Sequence, residues 1–369
     1  MRIAFNGLLI IHGLIHLMGF AKAFGLAELP QLTQSISRPI GVLWLVAGLL
    51  MIASALTPGR WFWLIGGIAV VLSSLVIFSA WHDAKVGLVG NAIVLLGVAY
   101  VFASQGPLSF AAEYRRDRTS ILKNTGGPPI VTEADLAPLP AAVQRYLRVT
   151  GSVGQPRIVD FRARWNGRIR ASANEPWMTF QAVQVNTVDG MPARLFAMNA
   201  IMKGLPVDVY HRFIGESATF RVRVLSLVSM VDAKGPIMDQ SETVTILNDL
   251  CMLAPTALIG TAFHWEASDA SSARVAYTRG AHRVRATLHF NDRGELVDFV
   301  SDDRSRASPD GKTFTAERWS TPLSEYRTFG ARHISTHGKT LTHAPQGTFA
   351  YGEFELQGIE YNASRLARD

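Results

Sequence analysis

Residues Gly7–Gly19 read GLLIIHGLIHLMG. The run is apolar enough to enter a bilayer, yet it carries His12 and His16. It extends to a segment Ile3–Ala21, and a spanning helix needs about 20 mostly apolar residues. Three more segments follow: Pro39–Leu56, Trp61–Trp81 and Val86–Ala103. Pro39 suits a first helical turn, and Pro58-Gly59 makes a tight link. Trp61, Trp63 and Trp81 stand at span ends, where amphipathic rings favour the interface. Four such segments with almost no polar face argue for a transmembrane four-helix bundle over residues 1–104, rather than a soluble one. The first is long and is followed by others, so it reads as a retained span rather than a cleaved signal.

Composition agrees once it is divided. The chain has 369 residues, 48% of them hydrophobic, with a mean hydropathy of +0.16. Residues 1–104 hold only Arg2, Lys22, Arg38, Arg60 and Lys85 against Glu28 and Asp83, while the remainder is ordinarily polar. The net charge of +7 is too diffuse for nucleic acid and suits an anionic membrane surface. Cys251 is the only cysteine, so no intrachain disulfide forms. With four spans both termini share a side. Arg2, Arg60, Arg115, Arg116, Arg118 and Lys123 fall there, against Lys22, Arg38 and Lys85 opposite. The bias places the C-terminal domain on the cytoplasmic side.

His12 and His16 share a helical face, because positions i and i+4 are neighbours. His82 follows Trp81, with Asp83 beside it. One reading is a metal or haem site, with Asp83 orienting a ring. Others are a contact to a polar substrate or quinone, and interhelical hydrogen bonding. Ser73, Ser74 and Asn91 would extend the same polar seam. The expectation is no cofactor, with metal or haem at His12, His16 and His82 as the alternative.

Residues 105–133 read as a linker. Ser109–Lys123 forms a surface helix carrying Phe110, Tyr114 and Ile121 beside a basic cluster, and Thr125-Gly-Gly-Pro-Pro129 is a break. Residues 134–369 form the second domain. It opens with an amphipathic helix within Leu136–Val149, and from Arg157 the period changes to two. Val159, Phe161, Ala163 and Trp165 alternate with polar residues, and Asn166-Gly167 reads as a hairpin turn. Arginines 162, 164, 168 and 170 read as the solvated face of a strand pair. Further strands are expected at Thr179–Val188, Ala193–Met202, Val207–Phe213, Ser217–Val231, Ala262–Ala267, Arg274–Thr278, His282–Asn291, Leu296–Arg304 and Phe314–Trp319. The last are Ser324–Phe329, His333–His337, Lys339–Ala344 and Gly352–Tyr361. Asn291–Gly294 and Pro309–Gly311 carry turn chemistry. The fold class is α+β: one large, curved antiparallel sheet around one inner helix.

That helix is Ser241–Leu253, SETVTILNDLCML, with Ser241 as N-cap and Glu242 at the positive end. Val244, Leu247, Cys251 and Leu258 form its apolar stripe. It must bury that face, most simply in the concave side of the sheet. The cleft so formed suits an apolar ligand, with Ser241, Glu242, Leu247, Asn248, Asp249, Cys251, Met252 and Trp265 as its contacts. Met191, Met198, Met202, Met230, Met238 and Met252 would supply adaptable walls. Glu242 and Asp249, seven apart on one face, could pair for acid/base work. His264 with Glu266, Asp302 with Asp303, and His333 with His337 read more simply as surface groups. The chain holds no GxSxG, P-loop, GxGxxG or zinc-spaced cysteines.

The segments HGLIHLMGF, WHDAKVGLVGNAIVLL, QSETVTILNDLCMLAP, ELVDFVSDDR and YGEFELQGIEYN together resemble an uncharacterised family of bacterial four-helix membrane proteins with a C-terminal β domain. That resemblance implies an inner-membrane, multi-pass protein and brings no catalytic residues. The β domain, ending SEYRTFGARHIS…GEFELQGIEYN, is similar in pattern to the half-barrel of bacterial lipoprotein carriers, which implies a pocket for acyl chains. The chain departs from those carriers in being tethered. Two functions are therefore expected to compete. One is a membrane-tethered binding protein for a lipid or other apolar molecule, with membrane lipids as partners. The other is a membrane enzyme or redox protein built on the histidines.

Overall fold

The computed structural model describes residues 2–122, 126–308, 310–345 and 347–362. Lys123 and Thr125 of the expected linker and Pro309 of an expected turn lie outside the described residues. Two compact units emerge, Met1–Glu113 and Tyr114–Asp369.

The first unit contains α1 Arg2–Ala23, α2 Arg38–Leu56, α3 Gly59–Ser79, the short α4 Trp81–Ala84 and α5 Gly87–Gln105. Among the described residues, the four long helices are apolar enough to cross a membrane. They pack α1 on α2, α2 on α3, α3 on α5 and α5 on α1. Their outward side chains include Leu14, Leu49, Val71, Leu75 and Leu96, all exposed. An apolar surface of this extent suits hydrocarbon rather than water. Small residues set the closest approach. A Cβ on Gly13 or on Gly48 would come 2.7 Å from the other's carbonyl oxygen, and one on Gly19 would strike the Trp44 ring. The third span ends earlier than expected. Ala80 leaves helical geometry at φ −129, ψ 45, so Trp81 opens α4 instead of closing α3.

Helix α6, Phe110–Ile121, leads into the second unit, followed by α7 Glu133–Leu136 and α8 Ala141–Val149. The short amphipathic helix expected within Leu136–Val149 is α8, and Pro138 and Pro140 separate it from α7. The first strands are β1 Asp160–Ile169, β2 Met178–Thr187, β3 Arg194–Met202, β4 Leu205–Ile214, β5 Ser217–Val224 and β6 Val228–Lys234. Helix α9, Pro236–Leu253, and a 3-10 turn Pro255–Ile259 interrupt them. Then come β7 Phe263–Ser268, β8 Ser272–Arg279, β9 His282–Phe290, β10 Leu296–Ser301, β11 Ser305–Ala307 and β12 Phe314–Ala316. The last are β13 Arg318–Ser320, β14 Leu323–Phe329, β15 Arg332–Ala344 and β16 Gly347–Tyr361.

Among the described residues, fourteen strands form one antiparallel sheet in the order β6-β5-β4-β3-β2-β1-β16-β15-β13-β10-β9-β8-β7, with β14 also on β15. β11 and β12 pair apart. Alternation works as the sequence implies: Phe161, Ala163 and Trp165 are buried while Arg164 and Arg168 face out to Glu360 and Glu353. Arg168 and Arg170 flank the Trp177 ring.

Three local expectations are corrected. Asn166-Gly167 is no turn; β1 runs through it, and Gly167 lets the Phe180 ring lie where a Cβ would be. Ser217–Val231 is not one strand. It turns at Leu225 and Ser226, both left-handed (φ 55 and 60), with the Ser226 hydroxyl donating to Asp208. Finally, α9 starts five residues before Ser241. Gly235 (φ 102) is its N-cap and Pro236 opens the first turn. Ser241 sits inside the helix, donating to the Ile237 carbonyl and accepting from the Ser305 amide.

Helix α9 packs on β5 and β6, and also on β9, β10 and β15. Val244, Leu247, Leu250 and Cys251 join a core shared with Phe161, Val209, Val284 and Phe299. Arg279, at the end of β8, donates to the Pro192 and Gly215 carbonyls and lies 3.7 Å over the Phe213 ring.

Candidate functional site: a buried charged cluster on α9

Glu242 and Asp249 stand two turns apart on α9, and both are buried. Buried charges must be paired, and the sheet supplies the partners. Asp249 Oδ2 accepts from Arg194 Nε at 2.7 Å, Gln184 Nε2 at 2.7 Å and Asn186 Nδ2 at 3.1 Å. Arg194 Nη1 reaches His211 Nδ1 at 3.3 Å. His211 Nε2 lies 2.8 Å from Glu242 Oε2. Glu242 Oε1 accepts from the Thr245 hydroxyl and lies 3.6 Å from Arg304 Nη2. Arg304 covers the Trp319 ring at 4.7 Å. One chain of contacts thus runs Asp249, Arg194, His211, Glu242, Arg304.

The positions follow from strand parity. Phe180, Ala182, Gln184 and Asn186 share one face of β2, and Val207, Val209, His211 and Phe213 share one face of β4. Each polar member is an interruption of an inward apolar row. The protonation pattern follows from charge balance. Arg194 and Arg304 match Glu242 and Asp249, so a neutral imidazole leaves the cluster neutral. Because an arginine N–H can only donate, Nδ1 of His211 accepts, and the ring proton sits on Nε2, toward Glu242. Burial opposes the Glu242 carboxylate, but the His211 ring N–H and the Arg194 and Arg304 guanidinium groups outweigh it and hold its pKa below the usual carboxylate range. Burial lowers His211 from its usual value, with Glu242 pulling the other way. Burial raises Asp249, opposed chiefly by Arg194. Burial also pushes the Cys251 thiol up, so it is no nucleophile.

Of the residues expected at a ligand site, Glu242 and Asp249 belong to this cluster. They are not a bare acid/base pair, since each is committed to cations. Leu247 and Cys251 are fully buried in the core. Asn248 accepts from the Thr321 hydroxyl at 2.7 Å and lies 3.5 Å from Met252 Sδ. Met252 is partly buried. Trp265 is partly buried too, with its Nε1 enclosed and without an acceptor among the described residues. Of the methionines, Met198 and Met238 are buried, whereas Met191 and Met230 are exposed. His211, Arg194, Arg304, Gln184 and Asn186 were missed. Parity was the available signal for His211, Gln184 and Asn186.

The other candidates separate. Glu266 pairs with Arg274 and Arg285, Asp302 with Arg318, and His333 lies 3.6 Å from Glu295. In the helical unit, His12 Nε2 lies 2.9 Å from Asn91 Oδ1. His16 Nδ1 donates to the His12 carbonyl, and Ser73 Oγ lies 2.8 Å from both His16 Nε2 and Asn91 Oδ1. Asp83 does not orient a ring; it accepts from the Thr33 hydroxyl and the Gln34 amide. Among the described residues, His82 is not gathered with His12 and His16, and no group of three or more His, Cys, Asp or Glu is placed to hold a metal.

Among solved structures, the chain is similar to a putative outer membrane lipoprotein-sorting protein domain from Vibrio parahaemolyticus. The identity is 10%, over 55% of this chain and 85% of that one, with a TM-score of 0.30. It is also similar to a LolA superfamily protein from Nitrosomonas europaea, at 8% identity over 59% and 93%, with a TM-score of 0.33. A DUF1329 family protein from Desulfovibrio piger matches at 10% identity over 60% and 92%, with a TM-score of 0.27. No curated protein matches. Residues 129–354 match a family of unknown function, and the chain belongs to that family, DUF6544.

Proposed function

We propose that this chain is a membrane-tethered binding protein for a lipid or other apolar molecule, held in the β domain between the sheet and α9. One observation carries the reading: an apolar inward face on β3 to β6 passes from buried to open. Phe213, Val209 and Val207 are buried; next along the same face, Met202, Val222, Val224 and Val231 are only partly covered. A sealed core would cover all of them. The sheet then curves around α9, half-barrel fashion. In support, α9 touches both β5 and β9, nine places apart in the strand order. Strands lie about 4.8 Å apart, so a flat sheet would spread those two by roughly 43 Å, more than the roughly 27 Å length of an 18-residue helix.

In this reading residues 1–104 are the tether, 105–133 the linker and 134–369 the binding domain. Leu247 and Cys251 form the floor, and Met252 and Trp265 the adaptable wall. Asn248 stands beside Met252, and the Trp265 indole N–H offers a donor to a ligand oxygen. Ser241, Glu242 and Asp249 hold α9 in place. The tether keeps the domain at high effective concentration beside its lipid source. The basic bias at the span ends supports a cytoplasmic side for the domain.

The test is lipid extraction and mass spectrometry on the full chain purified in mild detergent. A stoichiometric lipid, lost on filling the open face with Val224→Trp, is the expected result. Absence of any retained apolar molecule would sink the reading.

A further inference from the structure

The open end of that face carries a surface feature of its own. Ile201 and Leu205 flank the β3–β4 turn; Leu227, Val228 and Met230 form the tip and outgoing strand of the β5–β6 hairpin. All five are between 45% and 59% exposed. The two tips adjoin, because the Leu225 amide donates to the Pro206 carbonyl. Exposed aliphatic residues on two adjoining hairpin tips, on both faces of the sheet there, mark an interaction site. The backbone adds a second sign. Leu225 and Ser226 hold left-handed geometry, which a leucine adopts only at some expense in strain. A turn chosen for stability alone would carry Asn or Gly there.

We infer that these hairpin tips insert into the surface of a lipid bilayer. Two features favour lipid over a protein groove. The same chain holds four helices apolar enough to span a membrane, so a bilayer is always at hand. Lastly, the exposed Lys203 stands between Ile201 and Leu205, the pairing of aliphatic and basic residues that suits an anionic headgroup layer. The docking goes beyond ligand binding and does not depend on it.

The experiment uses the full chain in nanodiscs of phosphatidylcholine and phosphatidylglycerol. Cys251, fully buried and out of reach of the label, is left in place, and an environment-sensitive fluorophore is placed at Leu227→Cys. The control is Asp189→Cys, at the exposed β2–β3 turn. Brominated acyl chains should quench the Leu227 probe about two-fold, as expected for an apolar group held in the headgroup and acyl boundary, and leave the Asp189 probe unchanged. Adding Val228→Glu and Met230→Glu, with circular dichroism unchanged, should abolish that quenching. A solvent-like Leu227 probe would overturn the proposal. So would a blue-shifted but unquenched one, which would mean a protein partner or a second copy paired at the β6 edge. A quenched probe on a protein that retains no lipid would uphold docking and remove the binding function. Retained lipid with an unquenched probe would do the reverse.

Discussion

The helical unit and the β domain each bury a polar network around histidine, and they do so in opposite ways. His12, His16, Ser73 and Asn91 join α1, α3 and α5 through uncharged groups. Glu242, His211, Arg194, Asp249 and Arg304 join α9 to the sheet through ions. The difference matches the solvents that the two surfaces suit, hydrocarbon for the apolar helices and water for the β domain. In hydrocarbon an ion has no water to fall back on, so neutral hydrogen bonders are the affordable glue. In a water-exposed domain ions can be buried, provided partners arrive with them. Breaking one pair should therefore be far worse in the β domain than losing one bond in the bundle.

The largest effect is expected for Arg194→Ala, which strands Asp249 with only amide donors. Removing one partner of a buried pair costs about 3–5 kcal/mol, to be read in urea unfolding of the full chain in detergent, followed by the strand signal in circular dichroism. The double change Arg194→Met with Asp249→Leu should recover most of it; no recovery would mean that packing rather than charge dominates the cluster. Leu247→Ala, fully buried on the same helix, should cost about 2–5 kcal/mol through the cavity it leaves, by the same measurement. A smaller loss would point to a ligand space already beside it.

A middle-sized effect is expected from pH. Burial lowers His211 in the folded state. Between that value and about 6.5 the unfolded chain holds the extra proton, so stability rises with pH there and falls on acidification below about 6.5. Unfolding at pH 5 against pH 7 should show the loss, and His211→Asn should flatten it. The smallest effect is expected in the bundle. Asn91→Leu removes the hub of an uncharged network and should cost about 0.6–2 kcal/mol, measured as a shift in detergent unfolding of the helical signal. A loss as large as that of Arg194→Ala would mean that the bundle network carries charge, and would dissolve the contrast.

Much of the fold could be read along the chain. The four apolar segments found their helices to within a few residues, because length and hydropathy are local properties. Most strands were legible from period two. Errors came where a local signal was ambiguous. Asn166-Gly167 carries turn chemistry, but the Phe180 ring needed a residue without a side chain in mid-strand. Leu225-Ser226 carries none, yet it turns. The start of α9 was misplaced because Ser241 looks like a cap while the operative pair is Gly235-Pro236.

The site divides the same way. The sequence by itself determined that four helices apolar enough to span a membrane precede a β-rich half, that His12 and His16 share a face, and that Glu242 and Asp249 share a helix. Only the tertiary structure decided what those groups meet. Asn91 comes to His12 from 79 residues away, and Arg194 to Asp249 from 55. Periodicity reports which face of an element is buried; it carries no information about which distant strand will lie against that face. The partner of a buried charge is set by sheet order and register, so the cluster on α9 becomes visible only when the sheet is assembled around it.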